Sequence, residues 1–380
     1  MLLVLNEDQT MLARTAREFV ASTEPLARLR RMRDKKDLLG FSPDVWRKIV
    51  DLGWTAMAFS EADGGLGLGL SDVVVVTEAL GRLLATEPFI PCVVLAGSVL
   101  ALAGTTEQKE TYLAPMIGGT ARLALASEER KSRSHLERVA LRAKAVGGGF
   151  ELTGEKTPVL GGNGAETFLV SARTSGKDDD GDGITLFLVP SGTAGVTVEA
   201  LDRVDTRNAA TVRLNGVTVP ATAVVGKVGG GLATLSAAVE RATVALAGEM
   251  LGTMGEAFDR TVTYLREREQ FGSKIGSFQS LQHRAARLFV EIELTRSAVM
   301  AAARAVDEGL PQAAELVSVA KARASDALSL VANEAVQMHG GIGMTDEHDI
   351  GFFLKRAKVA ELTFGDAAFH RARFAALRDF

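Results

Sequence analysis

The feature that most constrains the fold is the change in residue pattern along the chain. Residues 1–120 and 229–380 carry apolar side chains at helical spacing, whereas residues 121–228 contain short β-rich runs separated by glycine and polar turns. Helices, then strands, then helices predict separate domains and not alternating β–α–β units. We therefore expect an α+β protein with an N-terminal helical domain (1–120), a middle antiparallel β-barrel or sandwich (121–228) and a C-terminal four-helix bundle (229–380).

Helix ends can be placed from capping residues. Asn6, Ser42 and Ser71 are candidate N-caps, and Pro43 fits the first position of the helix that follows Ser42. The four long helices predicted for the bundle cover residues 231–267, 277–308, 311–338 and 346–378.

Composition excludes several classes of protein. The net charge of −4 gives no electrostatic case for binding nucleic acid or an anionic membrane. Cys92 is the single cysteine, so an intramolecular disulfide and a cysteine metal cluster are both excluded. The start MLLVLNEDQT is too short for the core of a signal peptide and lacks basic residues, and no apolar run is long enough to span a bilayer. We expect a cytoplasmic protein.

One acidic loop has the spacing of a calcium site. Asp178, Asp180 and Asp182 alternate in KDDDGDGITLFLV, but Val189 stands where such a loop needs a bidentate acid, and strands flank it. We predict a solvated hairpin loop. The histidines show no metal-ligand spacing, so no metal site is expected.

Two segments carry ligand-binding side chains. REREQFGSKIGSFQSLQHR (266–284) offers an arginine for a phosphate, a phenylalanine for a ring and two glutamines for a base edge. VQMHGGIGM (336–344) ends a helix in Gly340 and Gly341, which allow close backbone approach. Taken alone, each segment is better explained as an interhelical turn with its capping network.

Together, these segments resemble the acyl-CoA dehydrogenases. Arg268 to Gln282 match R-x-x-F-G-x-x-I-x-x-F-Q-x-x-Q, and Gln337 to Gly343 match Q-x-x-G-G-x-G. SEADGGLGLGL (60–70) is similar to the family's P-E-x-x-G-G-x-G loop, and the resemblance covers nearly the whole chain. Within the family, the chain resembles small-subunit members of the pimeloyl-CoA type, many of which pair unlike subunits.

The resemblance implies FAD as cofactor, an acyl-CoA as substrate, electron-transfer flavoprotein as acceptor, and a homo- or hetero-oligomer. It implies that Arg268 and Phe271 hold the pyrophosphate and adenosine across a subunit interface. The full set of cofactor-binding residues that it implies is Ser127, Arg268, Phe271, Gln279, Gln282, Gln337, Gly340, Gly341 and Asp366.

Glu240 and Arg241 interrupt the apolar stretch LSAAVERATVALAGEM (235–250). Adjacent helical residues do not face each other, so either each has its own partner or Glu240 is meant to titrate. The family's usual base lies in a Y-E-G-T stretch, which here reads LTFGDAA and puts Phe364 at the glutamate position. Isovaleryl-type and long-chain members carry the base directly before an arginine, a position that the resemblance assigns to Glu240.

This assignment implies that Glu240 is a general base whose pKa is raised by desolvation in an apolar pocket. Arg241 and Phe364 become substrate-binding residues, Phe364 through its backbone N–H. The alternative is that Glu240 is a structural, paired carboxylate.

Other positions depart from the family pattern. Pro158 and Leu160 in KTPVL replace an aromatic residue and a flavin-bonding hydroxyl, and Ser127 is the remaining hydroxyl of the T-E-P position. These departures leave three hypotheses: an active dehydrogenase using Glu240, a non-catalytic partner subunit that completes an FAD site, and an oxidase or monooxygenase on the same fold.

Overall fold

The computed structural model describes residues 4–380, so the first three residues of the apolar start lie outside it. The chain forms two compact units, one with residues up to 30, 69–85 and 243–380, the other with residues 31–68 and 86–242. Among residues 4–380, none of the helices combines the length and hydropathy of a membrane span.

Helices make up most of the first 120 residues, as the periodicity predicts. They are α1 (Glu7–Ser22), α2 (Pro25–Lys35), α3 (Pro43–Asp51), α4 (Leu70–Arg82), α5 (Ser98–Ala103), α6 (Thr106–Gln108) and α7 (Ala114–Ile117), with π-helical turns over Phe89–Gly97 and Lys109–Leu113. Asn6 caps α1 by accepting a hydrogen bond from Gln9 N (2.7 Å). Ser42 caps α3 by accepting from Val45 N (3.4 Å). Both predicted caps are confirmed.

The cap predicted at Ser71 is wrong. Helix α4 begins at Leu70, and Gly69 is its N-cap. The carboxylate of Asp307 accepts hydrogen bonds from Leu70 N (2.6 Å) and Ser71 N (2.9 Å). An acid more than 200 residues away therefore binds the first N–H groups of α4, where a local hydroxyl was expected.

The middle segment forms an eight-stranded sheet. Its strands are β1 (Leu123–Ala126), β2 (Arg142–Val146), β3 (Gly149–Leu160), β4 (Thr167–Arg173), β5 (Ile184–Pro190), β6 (Val196–Ala200), β7 (Ala209–Pro220) and β8 (Val224–Val225). The order is β6-β7-β3-β2-β4-β5-β8, with β1 against β4. The α+β class is confirmed, but the sheet is mixed, because β4 pairs in parallel with β1 and β2.

The sheet encloses an apolar core, and one strand departs from regular pairing. Buried side chains such as Leu152, Phe168 and Phe187 form this core. The register of β3 against β7 shifts between Lys156 and Val159, around Pro158. Proline has no N–H to donate to the ladder, so a shift at this point is expected.

The acidic loop connects β4 to β5 and wraps around a buried arginine. Arg173 is 1% exposed. Its two terminal nitrogens donate to the carbonyl oxygens of Asp180 (2.8 Å), Asp182 (2.6 Å) and Asp178 (2.9 Å). The hairpin interpretation is confirmed, and a guanidinium lies where the carbonyls converge.

The C-terminal segment is mainly helical. It contains α8 (Gly231–Glu267), β9 (Glu269–Gln270), β10 (Ser273–Lys274), α9 (Gln279–Asp307), α10 (Ala313–His339), α11 (Ile350–Leu362) and α12 (Ala367–Leu377). The single helix predicted over 346–378 is wrong. The chain breaks between α11 and α12, where φ is +59° at Phe364 and +96° at Gly365, outside the right-handed helical region.

Candidate active site

The break between α11 and α12 is a turn whose carbonyl oxygens are held by two side chains. Nζ of Lys321, on α10, donates to the carbonyl oxygens of Glu361 (2.9 Å) and Gly365 (2.7 Å). Nε2 of His370, on α12, lies 2.9 Å from the carbonyl oxygen of Phe364. The conformation of this turn is therefore fixed from two neighbouring helices.

Phe364 occupies the position in this turn where the resemblance leads us to expect an acid. Its positive φ is unfavourable for a bulky residue. Its backbone N–H has no acceptor among residues 4–380, which leaves it available to a ligand. Asp366, expected to contact the cofactor, accepts from Phe369 N (2.8 Å) as the N-cap of α12.

Arg268 and Phe271 lie on a tight hairpin after α8. β9 and β10 pair in antiparallel register, and the two residues between them, Phe271 and Gly272, have φ of +53° and +77°. Both positive values fit a type I′ turn. Phe271 is 92% exposed, and Arg268 is exposed too. A large apolar ring held in the solvent is suited to stack against another molecule.

Gln279 and Gln282 are exposed on the first turn of α9. Nε2 of Gln282 donates to the carbonyl oxygen of Gly276 (3.0 Å) and thereby holds the loop before the helix. This is the capping role considered for the motif, although the side-chain oxygen of Gln282 can still accept.

The glycine turn at the end of α10 is open to solvent. Gly340 adopts φ +64°, and both Gly340 and Gly341 are exposed. A Cβ atom added to either would meet nothing within 4 Å. Gln337 is exposed one turn earlier. The turn therefore presents bare backbone and one amide at the surface.

A cluster of three aromatic rings brings the hairpin and the glycine turn to the same end of the bundle. The ring centroids of Tyr264 and His339 are 4.6 Å apart, as are those of His339 and His348. The backbone carbonyl oxygen of Tyr264 accepts a hydrogen bond from Arg268 N (2.9 Å), and His339 directly precedes Gly340. Burial lowers the pKa of both histidines, which favours neutral rings near pH 7. Sequence analysis did not find this ring cluster.

Ser127 follows β1 in the other unit, beside a buried ion pair. Its carbonyl oxygen accepts from Nζ of Lys156 (3.2 Å), which also donates to Oε1 of Glu129 (2.7 Å) and Oγ of Ser171 (3.0 Å). Burial lowers the pKa of Lys156, and the charge of Glu129 opposes that shift. Glu129 is therefore engaged by Lys156, and Ser127 is held through its backbone carbonyl.

Glu240 and Arg241 lie where α8 enters the protein interior. Both are half-buried, and every residue from Ala242 to Met254 is buried. The pair therefore precedes the fully buried run of α8 and does not interrupt it, contrary to the expectation of an enclosed apolar site. Glu240 remains reachable from solvent.

The acid within that buried run is Glu249, which sequence analysis missed. Its side chain is 4% exposed, and Oε1 lies 3.5 Å from Nη1 of Arg356, whose side chain is 1% exposed. A single acid in an apolar helical run requires a buried cation, and this signal was present in the sequence. Lys321, a cation that follows the apolar residues at the start of α10, is likewise buried.

Comparison with known proteins identifies the family. Residues 6–120, 124–217 and 229–376 match the N-terminal, middle and C-terminal domain models of acyl-CoA dehydrogenases. The chain belongs to the acyl-CoA dehydrogenase family. Acyl-CoA dehydrogenase FadE27 of Mycobacterium tuberculosis is 33% identical over 336 residues, 86% of each chain.

Two solved structures show the same architecture as this acyl-CoA dehydrogenase. Butyryl-CoA dehydrogenase from Megasphaera elsdenii has a TM-score of 0.92 at 25% identity, over 100% of both chains. A chain of the ChsE4–ChsE5 complex from Mycobacterium tuberculosis has a TM-score of 0.87 at 29% identity, over 100% of this chain and 99% of that one.

FAD is the cofactor of this acyl-CoA dehydrogenase. The exposed end of the bundle fits the adenosine half, because it offers an arginine, an aromatic ring and a glycine turn with room for a close approach. In the other unit, Pro158 and Leu160 offer no hydroxyl, and the half-buried side chain of Ser127 retains one.

Proposed function

We propose that this acyl-CoA dehydrogenase removes hydrogens from Cα and Cβ of an acyl-CoA thioester, with Glu240 as the general base. The observation that carries the proposal is a half-buried carboxylate where α8 enters the interior, in a chain whose usual base position is Phe364. A carboxylate that substrate can reach, beside an apolar helical run, suits proton abstraction from carbon.

Each residue has a defined task in this proposal. Glu240 takes the proton from Cα, and Arg241 binds the substrate beside it. The backbone N–H of Phe364 donates to the thioester carbonyl oxygen, where negative charge develops. Bound FAD supplies the acceptor for the hydride from Cβ. Arg268, Phe271 and the Gln337–Gly341 turn hold its adenosine half.

The test is Glu240→Gln, which keeps the shape of the side chain and removes the base. We expect the variant to retain flavin and to lose acyl-CoA-dependent bleaching of the flavin absorbance in anaerobic solution, by about a thousandfold in rate. Glu267→Gln is the matched control, because Glu267 is exposed at the far end of α8. Turnover of Glu240→Gln at the wild-type rate would exclude Glu240 as the base.

The second candidate is a partner subunit that completes the FAD site of an unlike catalytic chain. Phe364 in place of the acid, and the loss of a hydroxyl at Leu160, support it. The heteromeric ChsE4–ChsE5 complex, whose chain shares this fold, supports it as well. The protein expressed alone would then show no bleaching, whereas a mixture with the homologous chain would be active and would lose flavin on Arg268→Ala.

We also propose electron-transfer flavoprotein as the electron acceptor of a cytoplasmic, oligomeric enzyme. Reduction of added electron-transfer flavoprotein during acyl-CoA oxidation is the result that we expect from this assignment. Oxygen consumption without an added acceptor would instead indicate an oxidase.

A further inference from the structure

The turn at Phe364 is held by side chains that the reaction, as proposed above, does not use. The carbonyl oxygens of Glu361, Phe364 and Gly365 each accept a hydrogen bond from a buried side chain on another helix. These donors are Lys321, 0% exposed, and His370, 3% exposed. Burying a cation is costly unless its hydrogen bonds are all satisfied, so such an arrangement needs a reason.

The reason is visible in the backbone of the turn. Two consecutive residues with positive φ, one of them a phenylalanine, would not hold this conformation by local preference. With its carbonyl oxygens fixed, the peptide planes of the turn are fixed too, and so is the direction of the Phe364 N–H. That N–H has no acceptor among residues 4–380.

The hydrogen bond that His370 makes to Phe364 O determines which of its ring nitrogens carries the proton. A carbonyl oxygen only accepts, so Nε2 must carry the proton that binds Phe364 O, and the neutral ring leaves Nδ1 with a lone pair. Burial, followed by the charge of Lys321, lowers the pKa of His370 to about 4. The ring lines a cavity of about 380 Å³ between α9, α10 and α12.

Lys321 can hold the turn in either protonation state. As an ammonium, Nζ donates to Glu361 O, Gly365 O and Oγ of Ser325 (3.1 Å). As a neutral amine, it still has two N–H groups for the two carbonyls, and it can accept from the hydroxyl of Ser325. Burial lowers the pKa of Lys321 to about 7, with Glu361 and Asp366 opposing the shift.

We propose that Lys321 and His370 are positioning residues that aim the backbone N–H of Phe364 at the thioester carbonyl oxygen. This inference depends on the proposed function only for the identity of the ligand. It extends that function because Lys321 and His370 orient the Phe364 N–H without touching the substrate. Because this contact strengthens as charge develops on the oxygen, misalignment should lower kcat more than it raises KM.

The experiment compares variants of the flavin-loaded enzyme, purified with any subunit that it requires. Lys321→Met removes the donors while keeping the length of the side chain. His370→Gln retains an N–H near the position of Nε2, whereas His370→Leu removes it. Lys358→Met on α11 is the matched control, because the Lys358 side chain is 64% exposed.

We expect Lys321→Met and His370→Leu to lower kcat about 10- to 100-fold with KM changed less than threefold, and His370→Gln to recover most of the loss. Hydrogen exchange of residues 360–370, measured by mass spectrometry, should rise in both impaired variants. In a separate experiment on the wild-type enzyme, binding of a non-oxidisable acyl-CoA thioester should slow the hydrogen exchange of residues 360–370.

Two results would overturn the inference independently of catalysis: unchanged exchange of residues 360–370 in Lys321→Met, or no protection of that segment by the thioester in the wild type. Faster exchange with an unchanged kcat would show that the two residues only stabilise the fold. Failure of Glu240→Gln to lose activity would reject the proposed base and leave the exchange result standing, so the two proposals fail separately.

Discussion

The hairpin–glycine end of the bundle and the turn at Phe364 place their functional groups in opposite ways. At the first, Arg268, Phe271, Gly340 and Gly341 lie exposed. At the second, three carbonyl oxygens are bound by buried side chains. The first region offers contacts that another molecule must complete, whereas the second is completed by the chain itself. Binding chemistry therefore shows in local motifs, and conformational control depends on distant residues.

The largest expected effect comes from adding one methyl group to the held turn. In Gly365→Ala, the new Cβ would lie 2.3 Å from Cδ1 of Phe369, and φ of +96° disfavours alanine. We expect a loss of about 4 kcal/mol of unfolding free energy, from overpacking and left-handed strain together. Urea denaturation measures it. A loss below about 1 kcal/mol would show that this turn is as adaptable as the exposed one.

A somewhat smaller effect is expected from pH. The pKa of His370 falls from 6.5 to about 4 on folding, so the unfolded chain binds more protons between these values. The part of the unfolding free energy that His370 contributes is therefore complete above pH 6.5 and is lost as pH falls towards 4, by about 3 kcal/mol in total. His370→Gln should lack this component. The measurement is urea denaturation of the wild type and of His370→Gln at pH 7 and pH 4. If both lose the same unfolding free energy between these pH values, His370 does not cause the acid sensitivity.

On the exposed side, Arg268→Ala should leave folding intact and weaken FAD binding by about 2 kcal/mol, the worth of a charge-assisted hydrogen bond to phosphate. Flavin fluorescence during dilution measures the dissociation constant. Arg266→Ala is the control, since Arg266 is also exposed and lies two residues earlier on α8. If both variants lose the same FAD affinity, the positive charge of this segment binds FAD and a specific contact of Arg268 does not.

The smallest expected change is in the stability of Gly341→Ala. The added Cβ would have no neighbour within 4 Å, so the free energy of unfolding should shift by less than about 0.5 kcal/mol. Flavin content should nevertheless fall if the glycine turn allows close approach. A stable, fully flavinated variant would remove this turn from the cofactor site.

The two regions also differ in how far the sequence could predict them. The R-x-x-F-G and Q-x-x-G-G-x-G motifs placed the hairpin and the glycine turn correctly, because their turn chemistry is local. The break after Leu362 was missed, since apolar side chains continue at helical spacing through Phe364. The donors that hold it, Lys321 and His370, come from other elements. The same limit explains the error at Ser71, where Asp307 caps α4 from a distant helix.

The candidate base shows an intermediate case. Its position on α8 could be predicted, because the apolar run and the resemblance both pointed to Glu240. Its degree of enclosure could not, since only the packed structure shows that the fully buried residues begin at Ala242. The acid that does lie inside, Glu249, was visible in the sequence as a single acid in an apolar run, but its partner Arg356 is 107 residues away and could not be assigned.

The arginine inside the acidic loop has a consequence for how the protein responds to its surroundings. Arg173 binds the carbonyls that would otherwise face one another across the β4–β5 connection. A guanidinium is covalently attached and always charged, so this hairpin carries its own permanent donor for these carbonyl oxygens. We therefore expect the conformation of this hairpin to be the same with and without calcium or a chelator.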